Sequence, residues 1–367
     1  MRKRVVKNKK KTATRIALLI AAPLLIAGIV VGVTLYKDYQ NTPCLTDELP
    51  AFNAEDCVYN GSGILYLAED KLVYSDLSDK KNDYSLSVSG EGATLAASTG
   101  LSVLYNASGV QIIGLSYPIE FSGSLMAVRC GASYVAGLRR DSQSKVSLQI
   151  FSKTEQVDQI DFSDDYLIDF GFTSPSENTM WTLTQDVTSS VPVHTLTTYD
   201  MDARTTTGVM TQRNQLIEEV RFTQNSVFAI GTNHIVRYNS VGNNQAYRVL
   251  VYGYRMLDFS SEGEKPMFLF VPRGDEELST VKLYTLAEAD TADEQIASVK
   301  LPSGALAAFL SKGRLVALTA DAMYIYSANG TLSSTTKLEF TATAYKKLSD
   351  TYVLAAGDFG NTLLTIR

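Results

Sequence analysis

The phrase HIVRYNS at residues 234–240 alternates apolar and polar side chains and carries an aromatic near its end. Versions of it recur as KLVYSDL, SLQIFSK, HTLTTYD, VKLYTLA and AMYIYSA. Each is the second half of a hairpin whose first half is strongly apolar. Eight such hairpins begin near residues 63, 101, 132, 179, 225, 267, 314 and 351, a mean spacing of about 41. Strand pairs repeating every 40 to 50 residues are the signature of propeller blades. A blade is a twisted four-stranded sheet covered on both faces by its neighbours, so its central strands read as apolar runs and its outer strand alternates. One blade cannot bury its own faces, which forces a closed set.

The expected fold is therefore all-β: a β-propeller over residues 60–367, with eight blades preferred and seven the alternative. Two stacked β-sandwiches are the non-propeller alternative. The second strand of the hairpin ends on an aromatic at Tyr74, Phe151, Tyr199, Tyr238, Tyr284 and Tyr326, whereas the second and eighth hairpins place Ile113 and Ile366 there. Twenty tyrosines against one tryptophan fit half-buried pleated surfaces. Weaker alternating segments such as VDQIDFSDDYLIDFGF supply the outer strand of one blade and the inner strand of the next. The two chain ends should meet in one closing blade, because closure removes free sheet edges.

Residues 16–36, IALLIAAPLLIAGIVVGVTLY, carry no charge. At helical rise they reach about 31 Å, the thickness of a bilayer's hydrocarbon core. Residues 1–15 hold eight bases and no acid. That asymmetry predicts a single-pass signal-anchor helix with a basic cytoplasmic tail and an extracytoplasmic body at the cell membrane. A cleaved signal peptide fits less well, because its apolar core is shorter and a small-residue cleavage site should follow. Gly28 and Gly32 form the G-x-x-x-G spacing of helix dimers, a weak hint because glycine is common in membrane helices. Beyond the tail, 25 bases face 39 acids. A body this acidic excludes electrostatic recognition of nucleic acid.

Residues 37–59 read as an irregular extracytoplasmic stalk. Cys44 and Cys57 lie on it and are the candidate disulfide, closing a loop of about 14 residues worth roughly 3 kcal/mol in the chain-entropy model. Cys130 sits in strand text and reads as a small buried apolar residue.

No catalytic motif is present: the sequence lacks G-x-x-x-x-G-K, H-E-x-x-H, C-x-x-C and G-x-S-x-G. His194 and His234 are the only histidines and each opens a strand, so a histidine-rich zinc site is not expected. Acids cluster at Asp158, Asp161, Asp164, Asp165 and Asp169, and again at Asp275, Glu276 and Glu277. Such carboxylates serve a glycosidase or a calcium site when they converge, and otherwise keep an exposed surface soluble. Asn60, Asn106 and Asn329 open N-x-S/T triplets. No catalytic, cofactor-binding or metal-binding residue is assigned, and no cofactor is expected.

The layout of basic tail, anchor helix, short stalk and tyrosine-rich blades such as LVALTADAMYIYSANG resembles membrane-anchored β-propeller proteins of Gram-positive bacteria, a family with no assigned activity. Blade text such as TLTTYDMDARTTTG is similar to the quinoprotein-dehydrogenase-like and WD40-like superfamily, although the tryptophan docking pattern of the quinoproteins is missing. The resemblance implies a surface-exposed domain; because a propeller offers a wide loop-lined face and no reactive groups are evident, the expected function is a binding or scaffold module for a protein or cell-envelope component. A carbohydrate-active hydrolase or lyase using loop carboxylates in the propeller funnel is the alternative. A sensor subunit is the second.

Overall fold

The structure is a computed structural model that describes residues 27–34 and 44–367, apart from 89–91, 116–117, 122, 163–164, 240–244, 264, 276 and 289–293. Cys44–Asp47 are described through their backbone only. Strands form eight four-stranded antiparallel sheets. The fold is an eight-bladed propeller, so neither seven blades nor stacked sandwiches describe it. Each predicted hairpin is the central pair of one blade: Gly63–Ala68 with Lys71–Asp76 in the first, Ser226–Gly231 with His234–Asn239 in the fifth, Tyr352–Gly357 with Gly360–Thr365 in the last.

The burial of the strands follows the reasoning that predicted them. Ser226–Gly231, the second strand of its blade, is buried at every position. Thr205–Arg213, an outer strand, alternates exposed and buried along most of its length. Apolar side chains gather in eight clusters, one at each seam between adjacent blades. The seams are unequal. Twelve buried residues fill the seam between the sixth and seventh blades, but only four fill each of the two seams flanking the first blade.

The recurrent aromatic now has a role. Phe151, Tyr199, Tyr238, Tyr284 and Tyr326 all pack back onto the preceding blade. Tyr238 also donates to Gln212 Oε1 on that blade at 3.0 Å, and Tyr284 donates to the Leu250 carbonyl at 3.2 Å. Opposite Phe151, Tyr199, Tyr238 and Tyr326 the outer strand carries a register shift that makes room for the ring. Tyr74 differs. It faces the second blade, because it sits one residue earlier in its strand and period-2 geometry turns it to the other face.

Closure uses the two chain ends. Cys44–Leu49 adds antiparallel to Gly360–Thr365 as the outer strand of the eighth blade, with Cys44 opposite Thr365 and Leu49 opposite Asn361. Asn361 Nδ2 then donates to the Pro50 and Phe52 carbonyls at 3.2 and 2.9 Å. Part of the segment read as a stalk is thus built into the ring, since a strand there covers an edge that would otherwise be open.

The N-terminal segment falls mostly outside the described residues. Residues 27–34 form about two turns of helix, with Ile29, Val30, Val31 and Val33 exposed. No described helix is long and apolar enough to cross a membrane. The anchor over residues 16–36 is therefore not supported by the structure and is taken up below as a proposal.

Candidate functional site

Inner strands of a propeller line its central channel, so their side chains decide what the channel offers. Four consecutive inner strands carry a bulge at the same depth. The extra residue is Met126, Ile168, Glu218 or Leu257, and the next residue is Ala127, Asp169, Glu219 or Asp258. A bulge re-aims the side chains that follow it. Three carboxylates from three blades thereby occupy equivalent positions. Two residues further on, at the same four equivalent places, stand Arg129, Gly171, Arg221 and Ser260.

Asp169, Glu219, Arg129 and Arg221 share a cavity of about 600 Å³ with Trp181. Gly171 is the residue that admits the indole: a Cβ there would meet Trp181 Nε1 at 3.2 Å. Trp181 Nε1 donates to the Phe172 carbonyl at 3.3 Å. Glu219 pairs with Arg221. Burial pushes the Glu219 carboxyl up; Arg221 opposes this, while Glu218, Asp169 and Asp258 reinforce it. The Arg129 guanidinium lies 5.7 Å above the centre of the Phe170 ring.

On the opposite wall the charges are committed to one another. Lys347 Nζ donates to Asp258 Oδ2 and Asp350 Oδ1, each at 2.7 Å. Asp258 Oδ2 also accepts from the Leu310 backbone N–H at 2.7 Å, and Asp350 accepts from Ser260 Oγ. This network joins blades six, seven and eight. It leaves Asp258 little freedom to act on a ligand, so its position beside Asp169 and Glu219 does not by itself make a hydrolytic centre.

On the lower face the loop at 173–178 of blade four is tied to the loops of blades two and three. The Pro175 carbonyl accepts from Thr99 Oγ1 at 2.9 Å, and the Glu177 carbonyl accepts from the Ala132 N–H at 3.0 Å. The upper face, where the inner strands begin, has a different character. Ten of the fifteen large apolar side chains exposed outside the helix lie in its loops, at the tops of its inner strands, or at the end of an outer strand. Tyr252 is 73% exposed and Val187 65%, with Tyr166, Leu250, Leu306 and Phe359 among the rest. The other five lie along outer strands, and none is in a described lower-face loop. A groove of about 920 Å³ opens on the same face between blades three and four, lined by Met126, Tyr166 and Ile168.

The acids singled out in the sequence do not gather at one place, although Asp161 and Asp165 both line the groove between blades three and four. Asp158 and Asp161 lie on the outer strand of blade three, Asp165 and Asp169 on the inner strand of blade four, and Asp275 and Glu277 in a hairpin turn of blade six. Asp164 and Glu276 are outside the described residues. No group of three potential metal ligands occurs among the described residues. The signal that would have found the channel was present as the recurrence LMAV, LIDF, IEEV and MLDF, one per inner strand. His194 and His234 stand at or next to the start of third strands, as read, and His194 is buried. Asn60, Asn106 and Asn329 each accept from backbone N–H groups within their own turns, a structural use for those side chains. Cys57 and Cys130 carry free thiols that burial pushes up to about 12. Cys57 opens the inner strand of blade one, whereas Cys44 begins the outer strand of blade eight.

No protein-family model and no curated protein matches this sequence. Solved structures do. BamB from Moraxella catarrhalis is similar over 88% of this chain and 97% of its own, with a TM-score of 0.56 and 7% identity. Sqt1 of Saccharomyces cerevisiae is similar over 88% and 99%, with a TM-score of 0.55 and 12% identity. The C-terminal WD40 domain of Sif2 covers 89% and 99%, with a TM-score of 0.54 and 8% identity. The protein is a β-propeller of the same broad kind as these. At such identities the likeness is one of fold.

Proposed function

We propose that this protein is a membrane-tethered, extracytoplasmic propeller that binds a protein or cell-envelope component through its upper face. The observation that carries the reading is the division of the two faces. Exposed apolar side chains collect on the upper face and are missing from the described lower loops, and apolar surface concentrated on one face marks an interaction site. The chain preceding the ring joins it at the lower end of the closing strand, at Cys44. With residues 16–36 in a bilayer and residues 1–15 on its cytoplasmic side, the binding face points away from the membrane. The resemblance to anchored propellers of Gram-positive bacteria agrees with this arrangement. Gly28 and Gly32 would serve a helix dimer, read by cysteine crosslinking within the helix.

The test is photocrosslinking in intact cells with a benzophenone amino acid placed at Tyr252 on the upper face or at Lys312 on the lower. Defined adducts from position 252 and none from 312 are expected. Equal adducts from both, or a C-terminal reporter that reads as cytosolic, would remove the reading.

A further inference from the structure

We infer that the occupant of the upper face is a basic, apolar polypeptide segment; this rests on the reading of that face as the binding surface. The second observation is charge. The described loops of the upper face hold ten acids against two bases, Lys145 and Arg273. Those of the lower face hold eight acids and seven bases. One of the two upper bases is neutralised, because Arg273 Nη2 lies 2.5 Å from Glu218 Oε2. Strand ends beneath the upper loops add acids and bases in near-equal number, with Arg139 and Arg140 making blade three the local exception.

Some of the acids stand beside the apolar side chains, while the loops carrying Val187, Leu216 and Tyr252 hold none of their own. Phe359 neighbours Asp358 in one hairpin turn, and Leu306 lies in the loop entering the blade whose own turn carries Asp321. Such a surface gains from a partner that brings Lys or Arg beside Leu, Ile or Phe, and it repels an acidic one. It also disfavours a bilayer with anionic headgroups, whose charge has the same sign. The groove beside Tyr166 runs between two blades rather than forming a closed pocket, but Arg139, Arg140 and Lys145 balance Asp141, Asp161 and Asp165 along it, so the excess of acid lies in the upper loops of the other blades.

The experiment uses the full chain in phosphatidylcholine nanodiscs and labelled fifteen-residue peptides read by fluorescence anisotropy. The probes are an alternating Lys–Leu peptide, the matching Glu–Leu peptide, and residues 1–15 of this chain, which are basic but poor in large apolar side chains. The Lys–Leu peptide should bind at least tenfold more tightly than either of the others and weaken as salt rises. L250S/Y252S should weaken it at least tenfold. Because both side chains are exposed the fold should survive, and V187S/V191S on another blade provides a second variant. Equal binding of the Glu–Leu peptide, or binding unchanged in both variants, would overturn the inference. So would vesicle co-flotation that depends on Leu250 and Tyr252, which would make the occupant a lipid surface. Crosslinks from position 252 in cells combined with failure of the peptides would refute the partner class and leave the docking face standing.

Discussion

Replacing Lys347 with Met probes the joint that holds the last three blades together. The ammonium group sits between Asp258 and Asp350, 2.7 Å from a carboxylate oxygen of each, and all three side chains are largely buried. The methionine keeps the length and volume of the stem. It leaves two carboxylates facing each other without the charge that compensates them. Breaking a buried pair by removing one partner costs about 3–5 kcal/mol, far more than a surface salt bridge is worth. For a body of this size about 2 °C accompanies each kcal/mol, so the melting temperature should fall by about 6–10 °C. The informative control is the neutral combination K347M/D258N/D350N. It retains acceptors for the Leu310 N–H and for Ser260 Oγ, and it removes the repulsion. It should recover about half of the loss or more, because an uncharged site avoids the desolvation penalty. Differential scanning calorimetry of the three proteins reads both steps. A K347M protein as stable as the parent, or a neutral combination no better than K347M, would refute the account of this network.

His194 is buried, and its Nδ1 has no partner among the described residues. Burial lowers its pKa from 6.5, opposed by the hydrogen bond with the Gln215 backbone, so the unfolded chain takes up the proton first. Stability should be full above pH 6.5 and decline as the pH falls below it, and H194Q should flatten that part of a pH–denaturation profile. The two seams beside the first blade hold the smallest apolar clusters, so amide exchange should appear there before the seam between blades six and seven. Deleting residues 1–49 removes the closing strand and bares the edge of Gly360–Thr365; aggregation or dimerisation on gel filtration is the expected result. Cys57 carries a free, buried thiol, so its alkylation should require denaturant, whereas the half-buried Cys130 should react before it. Intact mass with and without reductant tests the Cys44–Cys57 pairing directly: a free Cys57 predicts no change, and a shift would show that the bridge forms in the cell.

What could be read from residue order was the part of the structure governed by local periodicity. Two-residue alternation and the turn residues that interrupt it located all eight central hairpins, because a blade's middle strands are buried on both faces wherever they occur in the ring. The aromatic after HIVR and its relatives was legible for the same reason, although not that Tyr238 reaches back to Gln212 of the previous blade. Register and closure belong to the tertiary level. A one-residue offset sends Tyr74 to the opposite seam from Tyr238, and no local pattern weighs that choice. Cys44–Leu49 looks like linker because its partner strand lies over 300 residues away. The channel acids were hidden by sequence distance, since Asp169, Glu219 and Asp258 become neighbours only when bulged inner strands are arranged around a common axis. The acidic, apolar upper face has the same origin: its loops are scattered along the chain, and the alternation of strand direction within each blade collects them on one side. Sequence periodicity specifies strands because side-chain burial is a local demand; ring closure specifies surfaces because only packing decides which distant loops share a face.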